Sequence, residues 1–427
     1  MQADARVCII GMGYVGLTLA IALSIRGVKT TGVEINQDIL KSIRMGEPHF
    51  KEAGIEMALK SCISSGNFSF SDKLDSSDYD YVIITVGTPL NENGEVHFDG
   101  LLAAINGLPE FSCNHDVVVV LRSTIAVGSS NALLTMLETK GITNVCFAPE
   151  RTIEGEALKE LNSLPQIIGA NNDYAMEKAV DLFSVLTDKI VRVSSLEIAE
   201  LAKLFNNTYR DMTFAIGNYF ALIAQQFGSN GIEAIEAANL DYPRGGIPKP
   251  GFVGGPCLEK DPYILSVRDY ATHEIPLLAQ YNFTMMSRAF NETLIQTFAE
   301  LILKHISGSR VVMSGLAFKG KPATSDLRGS MGIRLLKELQ KHREVEFLHD
   351  FESYDHEVIK TTGIGLSKLP DIGTKKCLII LNNHESYGDL TIEYLGTFEK
   401  IIDIQGALTK YQLSNLNNII NFGSIAL

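Results

Sequence analysis

The chain has 427 residues, 45% of them hydrophobic and 20% charged, which is too long for one ordinary core and too apolar for long disorder. A formal net charge of -13 argues against a nucleic-acid partner, because phosphate backbones are gripped by surplus Lys and Arg. A phosphate-bearing small ligand is compatible with that charge if backbone N–H groups and local cations such as Arg244, Lys319 and Arg328 hold it.

The N-terminus runs almost directly into the strand-like Val7 to Ile10, which leaves no room for a signal peptide, and no apolar run reaches membrane-spanning length. From residue 5 to about 190, β-branched runs alternate with helical patterns: Arg6 to Ile10, Lys29 to Glu34, Tyr81 to Val86, Val117 to Leu121, Asn144 to Ala148 and Lys189 to Val193. Such alternation predicts a doubly wound parallel sheet. From Ser195 to Phe227 the period becomes helical, with Leu201, Leu204, Phe205, Met212, Ile216, Phe220 and Ile223 as an apolar stripe and Ser194 to Glu197 as a capping box. A Gly/Pro-rich loop from Tyr242 to Pro256 leads to another helical run between about Pro276 and His305. A second α/β pattern follows, with strands at Ser309 to Gly315, Val345 to His349, Cys377 to Leu381 and Lys400 to Ile404 and a helix at Gly332 to Lys341. The expected fold is therefore α/β, two Rossmann-like doubly wound domains (1–194 and 307–427) joined by a helical domain (195–306) containing a long helix. No internal repeat stands out.

The six cysteines (Cys8, Cys62, Cys113, Cys146, Cys257 and Cys377) have no CxxC spacing, and the nine histidines show no paired spacing with carboxylates. Neither a zinc site nor a secreted disulfide framework is expected, and a reducing cytoplasm is the natural setting.

Gly11, Gly13 and Gly16 form GxGxxG between a strand and a helix, the geometry that lets a backbone turn approach a pyrophosphate at a helix N-terminus. Glu34 ends the next strand where an acidic residue would bond a ribose 2'-OH and repel a 2'-phosphate, which favours NAD over NADP. The same glycines also suit a plain strand-helix turn or another nucleotide ligand such as S-adenosylmethionine. Cys257 sits in Pro250-Gly-Phe-Val-Gly-Gly-Pro-Cys-Leu-Glu-Lys-Asp261, outside any strand pattern. Glycines there permit close approach of another molecule, and Lys260 and a following helix N-terminus favour a thiolate. Cys8, Cys146 and Cys377 lie in strand patterns and read as space-filling. Asp261 reads either as a base or as a helix cap. Lys203 and Asn207 share a helix face at i, i+4, either as part of a solvated side with Glu200, Arg210 and Asp211 or aimed at a reacting oxygen.

With these pieces in place, the chain resembles the UDP-glucose/GDP-mannose dehydrogenase family from about Arg6 to Gly423, most weakly beyond about residue 340. Five motifs carry the resemblance: Gly11-Met-Gly-Tyr-Val-Gly-Leu17, Arg122-Ser-Thr-Ile-Ala-Val-Gly128, Ala148-Pro-Glu-Arg-Thr-Ile-Glu-Gly155, Gly254-Gly-Pro-Cys-Leu-Glu-Lys-Asp261 and Gly315-Leu-Ala-Phe-Lys-Gly-Lys-Pro-Ala-Thr-Ser-Asp-Leu-Arg328. The resemblance implies two successive NAD-dependent oxidations at C6 of a UDP-sugar, with Cys257 as nucleophile through a thiohemiacetal and a thioester. It implies Lys203 as oxyanion stabiliser beside Asn207, Asp261 in proton handling, and Thr124 and Glu154 with the hydrolytic water. It places NAD against Gly11, Gly13, Tyr14, Val15, Gly16, Glu34, Thr88, Thr124, Lys260 and Arg328. It places the sugar nucleotide against Glu150, Arg151, Lys203, Asn207, Arg210, Phe252, Gly254 and Lys319, with Arg244 reaching it from a neighbouring subunit of a homodimer or larger assembly.

Asn218-Tyr219 stands where many relatives have Asn-Glu, and Glu259 where a proline is frequent. Pro149-Glu150-Arg151 and Tyr209-Arg210-Asp211 bring the chain closer to the branch acting on UDP-N-acetylhexosamines, UDP-N-acetylmannosamine or UDP-N-acetylglucosamine, which feeds surface polysaccharide precursors. The rivals are UDP-glucose as substrate, a single-hydride dehydrogenase with Lys203 as base, and a catalytically silent NAD-sensing module.

Overall fold

A computed structural model of the protein describes residues 5–74, 78–91, 96–111, 116–266, 280–306, 310–342, 345, 347–370 and 376–421. Cys113, Pro276, Ser309 and Gly423 lie outside the described residues. The described residues form two compact units that part between Asn206 and Asn207, with a short stretch from Tyr263 returning to the first.

The first unit is built on an eight-stranded sheet in the order β3-β2-β1-β4-β5-β6-β7-β8. Its strands are β1 (Arg6–Ile10), β2 (Lys29–Val33), β3 (Phe68–Ser71), β4 (Tyr81–Ile84), β5 (Val118–Leu121), β6 (Asn144–Phe147), β7 (Gln166–Ala170) and β8 (Ile190–Arg192). Tyr-Val-Ile-Ile and Val-Val-Val-Leu are buried throughout, as central strands covered on both faces must be. Alternate residues serve opposite cores. Val7, Ile9, Ile83, Val118 and Val120 pack with Leu17 and Ile21 on one side. Cys8, Val82, Ile84, Val119 and Leu121 pack with Leu101, Ile105 and Leu133 on the other. The expectation of a parallel sheet needs one correction, because β6 and β7 run antiparallel at Cys146 opposite Ala170 and Phe147 opposite Gly169. Pairing direction leaves no mark on a hydrophobic period. The strands β3 and β7 were not among the expected runs: Phe-Ser-Phe-Ser alternates with serine, and Gln-Ile-Ile-Gly-Ala is a very short apolar signal.

The second unit carries a five-stranded parallel sheet in the order β10-β9-β11-β12-β13. These are β9 (Arg310–Ser314), β10 (Phe347–His349), β11 (Lys376–Ile380), β12 (Lys400–Asp403) and β13 (Ile419–Asn421). Val311, Met313, Cys377 and Ile379 pack toward the Phe283–His305 and Met331–Gln340 helices through residues such as Leu294, Phe298, Leu335 and Leu336.

The two sheets share a device that the sequence did not reveal as a repeat. In the first, Gly11 has a φ of 94°. Its N–H donates to Val33 O at 2.8 Å, and Met12 N–H donates to the Glu34 carboxylate at 2.8 Å. In the second, Gly315 has a φ of 91°. There Gly315 N–H donates to His349 O at 2.9 Å, and Ala317 N–H donates to the Asp350 carboxylate at 2.9 Å. Each first strand thus ends in a left-handed glycine whose turn is tied by the acidic residue that closes the neighbouring strand.

The long helix spans Leu196–Gln226. The expected capping box at Ser194 to Glu197 is not formed. Ser195 Oγ accepts from Ile198 N–H at 3.3 Å, so the position that would complete a box is an isoleucine, and Glu197 instead accepts from Asn131. The expected apolar stripe divides: Leu204 is buried, whereas Phe205, Ile216, Phe220 and Ile223 are exposed alongside Tyr209 and Tyr219. The buried side of this helix is polar, carrying Glu200, Lys203, Asn207, Asp211 and Asn218. It is inverted relative to an ordinary surface helix.

Candidate active site

In the first unit, the turn after β1 leads directly into the Tyr14–Ile25 helix. Gly11 occupies left-handed space, and a side chain at Gly16 would strike Gly11 O at 1.9 Å and the Thr85 hydroxyl at 2.6 Å. No atom lies within 4 Å of where a Cβ on Gly13 would sit, so the turn is open at that point. One Glu34 oxygen accepts from Met12 N–H and the other from Asn36 N–H at 2.9 Å, which fixes the carboxylate at the mouth of the turn while leaving lone pairs for a further donor. The residues fit a dinucleotide: open glycine backbone, a helix N-terminus and an acidic strand end.

Tyr14 ties this turn to the Ala148 to Gly155 motif. Its hydroxyl donates to Glu52, and Gly155 N–H donates to the Tyr14 hydroxyl at 3.0 Å and to Glu52 at 2.8 Å. Burial, reinforced by Glu52, pushes the Tyr14 hydroxyl above its ordinary value, so it stays protonated as a donor. Glu154 is half-buried beside Gly155. Val15 is half-buried at the start of the helix. Thr88 is buried and donates to Thr124 O at 2.7 Å, which joins the ends of β4 and β5.

The carboxylate of Glu150 points into the protein. It pairs with the Arg122 guanidinium at 2.6 Å and accepts from Arg151 N–H at 2.7 Å and Thr152 N–H at 2.6 Å. Burial works to raise its carboxyl, but Arg122, the Thr152 amide and Lys203 together hold it below the ordinary glutamate value. The Glu150 carbonyl accepts from Lys203 Nζ at 2.5 Å. Lys203 is 7% exposed, which removes the solvated-face reading of this side of the helix. One of its N–H groups is occupied by that carbonyl, and two are left for another acceptor. Arg151 donates to Asn206 at 3.3 Å and to Pro165 O. One turn before Lys203, the buried Glu200 accepts from Gly128 N–H at 2.5 Å and Ser130 N–H at 2.8 Å, capping the Ser129–Glu138 helix.

In the second unit, Cys257 is exposed, whereas Cys8, Cys62, Cys146 and Cys377 are buried. Burial pushes the Cys8 thiol up to about 12 and raises Cys62 and Cys146 as well, so none of these three offers a thiolate near neutral pH. The Cys257 carbonyl accepts from Asp261 N–H at 3.0 Å and Lys260 N–H at 3.3 Å, forming a tight turn. Asp261 is fully buried, and its carboxylate accepts from Asn207 Nδ2 at 2.5 Å and from Lys260 Nζ at 2.9 Å.

The glycines before Cys257 were expected to admit another molecule, but Gly254 and Gly255 are occupied by the chain itself. Gly255 N–H donates to Gly329 O at 2.8 Å. A Cβ on Gly254 would meet that carbonyl at 2.4 Å, and one on Gly255 would meet the Phe318 ring at 2.5 Å. These glycines let the cysteine loop lie against the Gly315 to Arg328 segment, so the fourth and fifth motifs are joined.

The remaining expected ligand residues are spread more widely. Phe252 packs edge-on against Phe298 at 4.9 Å. Lys319 sits 5.5 Å over the Phe318 ring, and the exposed Arg328 pairs with Asp326 at 2.6 Å. Arg244 stacks on Tyr242 at 4.7 Å, and both Arg244 and Arg210 are exposed. Roles for Arg122, Glu200, Asp211 and Arg288 had not been assigned from sequence. The signal for Arg122 was a charge directly after four buried strand residues. Among the described residues no group of three or more His, Cys, Asp or Glu is placed to hold a metal ion.

Two family models match: the NAD binding domain of the UDP-glucose/GDP-mannose dehydrogenase family over residues 5–187 and its central domain over 197–284. The chain is 30% identical over 406 residues to the UDP-N-acetyl-D-mannosamine dehydrogenase of Pyrococcus horikoshii, covering 92% of each chain. It is 32% identical over 340 residues to the Methanocaldococcus jannaschii enzyme of the same name, covering 78% of this chain and 76% of the other. The solved structure of the Pyrococcus horikoshii UDP-D-ManNAc dehydrogenase is similar with a TM-score of 0.85 and 27% identity, over 99% of this chain and 100% of that one.

Proposed function

The chain belongs to the UDP-glucose/GDP-mannose dehydrogenase family, and on that premise we propose that it oxidises the C6 alcohol of a UDP-N-acetylhexosamine to the carboxylate, with Cys257 as covalent nucleophile. That it is an NAD-dependent nucleotide-sugar dehydrogenase follows from the family. NAD, held at the Gly11 to Gly16 turn with Glu34 at its ribose, supplies the hydride acceptor for both oxidations. The N-acetylhexosamine substrate is supported by the relatives acting on UDP-N-acetyl-D-mannosamine and by Pro149-Glu150-Arg151 and Tyr209-Arg210-Asp211.

The observation that carries the covalent role is the exposed Cys257 thiol in a turn pinned to the buried Asp261, itself bonded to Asn207 and Lys260. Cys257 adds to the carbon of the aldehyde left by the first oxidation, the thiohemiacetal gives up a hydride to the nicotinamide and a proton to become a thioester, and water releases the acid and the free thiol. Lys203, buried with two N–H groups to spare, stabilises oxygen charge as it develops. Asn207 and Lys260 orient Asp261 for proton handling, and Thr124 and Glu154 position the hydrolytic water. In the second unit, Lys319 holds the UDP, and Arg328 is assigned to NAD. The exposed apolar side of the long helix packs against a second copy, whose Arg244 reaches this copy's substrate.

A panel of UDP-sugars with NADH followed spectroscopically tests the reading. UDP-N-acetylmannosamine or UDP-N-acetylglucosamine is expected to be the best substrate, with two NADH per sugar. A ratio of one, or acid formation by Cys257→Ala at the wild-type rate, rejects the covalent role. A preference for UDP-glucose rejects the N-acetylhexosamine assignment.

A further inference from the structure

The cysteine loop is gripped from behind by a fully buried ion pair that the proposed chemistry does not use. Arg288, on the Phe283–His305 helix, and Asp211, on the long helix, are both 0% exposed and pair at 2.6 Å. The Arg288 fork donates at 3.2 Å to Val253 O and at 3.3 Å to Leu258 O, the two carbonyls that bracket Gly254 to Cys257. Glu292 approaches Arg288 Nε at 3.3 Å. Asn291 donates to the Asp211 carboxylate and carbonyl, each at 3.1 Å. Asn218 accepts from Gly251 N–H at 2.7 Å, which anchors the start of the loop to the long helix. Glu259 pairs with Arg334 at 2.8 Å on the loop's other flank.

The helix side that holds Asp261 through Asn207 therefore holds the loop's inner side through Asp211, four residues along. A buried ion pair is a poor device for stability, since well-packed apolar residues of similar volume often do as well or better. It does fix geometry: a planar guanidinium with five donors can grip two carbonyls and a carboxylate at set angles, which neither lysine nor a hydrophobe can do. We infer that Arg288, locked by Asp211, is a positioning residue that sets the Cys257 turn in its reactive conformation by holding the carbonyls of Val253 and Leu258. This rests on the reading of Cys257 as nucleophile.

The test uses the intact protein with Arg288→Lys, Arg288→Gln and Asp211→Asn. The last leaves the guanidinium in place and keeps an acceptor oxygen beside it while removing the charge of its anchor, and circular dichroism establishes that each variant compared is folded. Three quantities are read: iodoacetamide alkylation of Cys257 followed by peptide mass spectrometry across pH, the separate kcat and KM for the UDP-sugar, and NAD binding. Positioning predicts that kcat falls about 10- to 100-fold with KM and NAD binding nearly unchanged, because small displacements of a reacting group cost that much. It also predicts an altered rate and pH profile of Cys257 alkylation, with Arg288→Lys recovering part of what Arg288→Gln loses. Folded variants that alkylate and turn over like wild type overturn the inference, as does a lowered melting temperature with unchanged kcat. Cys257→Ala separates the two readings. If that variant still forms acid, the nucleophile assignment fails, while alkylation of Cys257 in the Arg288 and Asp211 variants still reports whether the loop is held.

Discussion

Asn207 donates its side-chain amide at 2.5 Å to a carboxylate, Asp261, that has no exposure to solvent. The Lys260 ammonium takes the other oxygen, so the carboxylate is fixed in direction as well as place. Asn207→Ala removes a hydrogen bond to a buried charged group, worth about 1.5–3 kcal/mol, without touching the thiol. The expected outcome is a kcat reduced about 10- to 100-fold with little change in NAD affinity, measured by steady-state kinetics and NAD titration. A variant equal to wild type would remove Asn207 from the catalytic set.

The Arg122 and Glu150 pair makes a pH-dependent contribution whose sign follows from the lowered Glu150 carboxyl. A folded-state value below the unfolded one of about 4.5 means that this stabilisation is complete above that pH and is lost as pH falls through the lowered value. Arg122→Gln strands a buried carboxylate and is expected to cost about 3–5 kcal/mol near neutrality. Chemical denaturation at pH 7 and at decreasing pH checks this. The gap between variant and wild type should narrow in acid, as the carboxylate becomes protonated in both.

On the proposed reading, Glu34 is the selectivity element against a 2'-phosphate. Glu34→Ser is expected to reduce kcat/KM for NAD and raise it for NADP, narrowing their ratio by about tenfold or more, the equivalent of roughly 1.4 kcal/mol. Parallel kinetics with both cofactors are the check. The accompanying loss of the bond to Met12 N–H should also loosen the turn, which a weaker thermal shift by NAD would register.

The exposed apolar side of the Leu196–Gln226 helix is expected to bind a second copy. Ile216→Asp combined with Phe220→Asp should shift the protein toward monomer in sedimentation velocity while each monomer keeps its NAD binding. An unchanged sedimentation profile would place the contact elsewhere.

Much of this was legible because the chemistry demands particular residue types at particular places. The Gly11 to Gly16 turn with Glu34 declares itself, since the tight turn and the acidic strand end need those residues. Cys257 stood apart as the cysteine in neither an apolar strand nor a helix-like environment, and it is exposed. What stayed hidden depends on partners distant in the chain. Lys203 looked like one charge among several on a polar face, and only Glu150, 53 residues away, shows that the face is interior. Gly254 and Gly255 looked like space for a ligand, whereas Gly329 and Phe318 fill it. The serine at 195 caps the long helix, but the box partner sits one position too early. The repeated turn at Gly315 escaped notice because its residues differ from Gly11-Met-Gly and only the backbone bonds recur.

That second turn bears on how many dinucleotides one chain is expected to take up. After Gly11 the helix begins at Tyr14, so its free amides face the bend; after Gly315 the next helix begins only at Met331. The intervening loop is committed elsewhere, with Gly329 O bound by the cysteine loop and Phe318 N–H bound to Asp326 O. A pyrophosphate meeting the second bend finds no helix start aimed at it. Calorimetric titration should accordingly saturate at a single equivalent of NAD per polypeptide, although the architecture repeats the device.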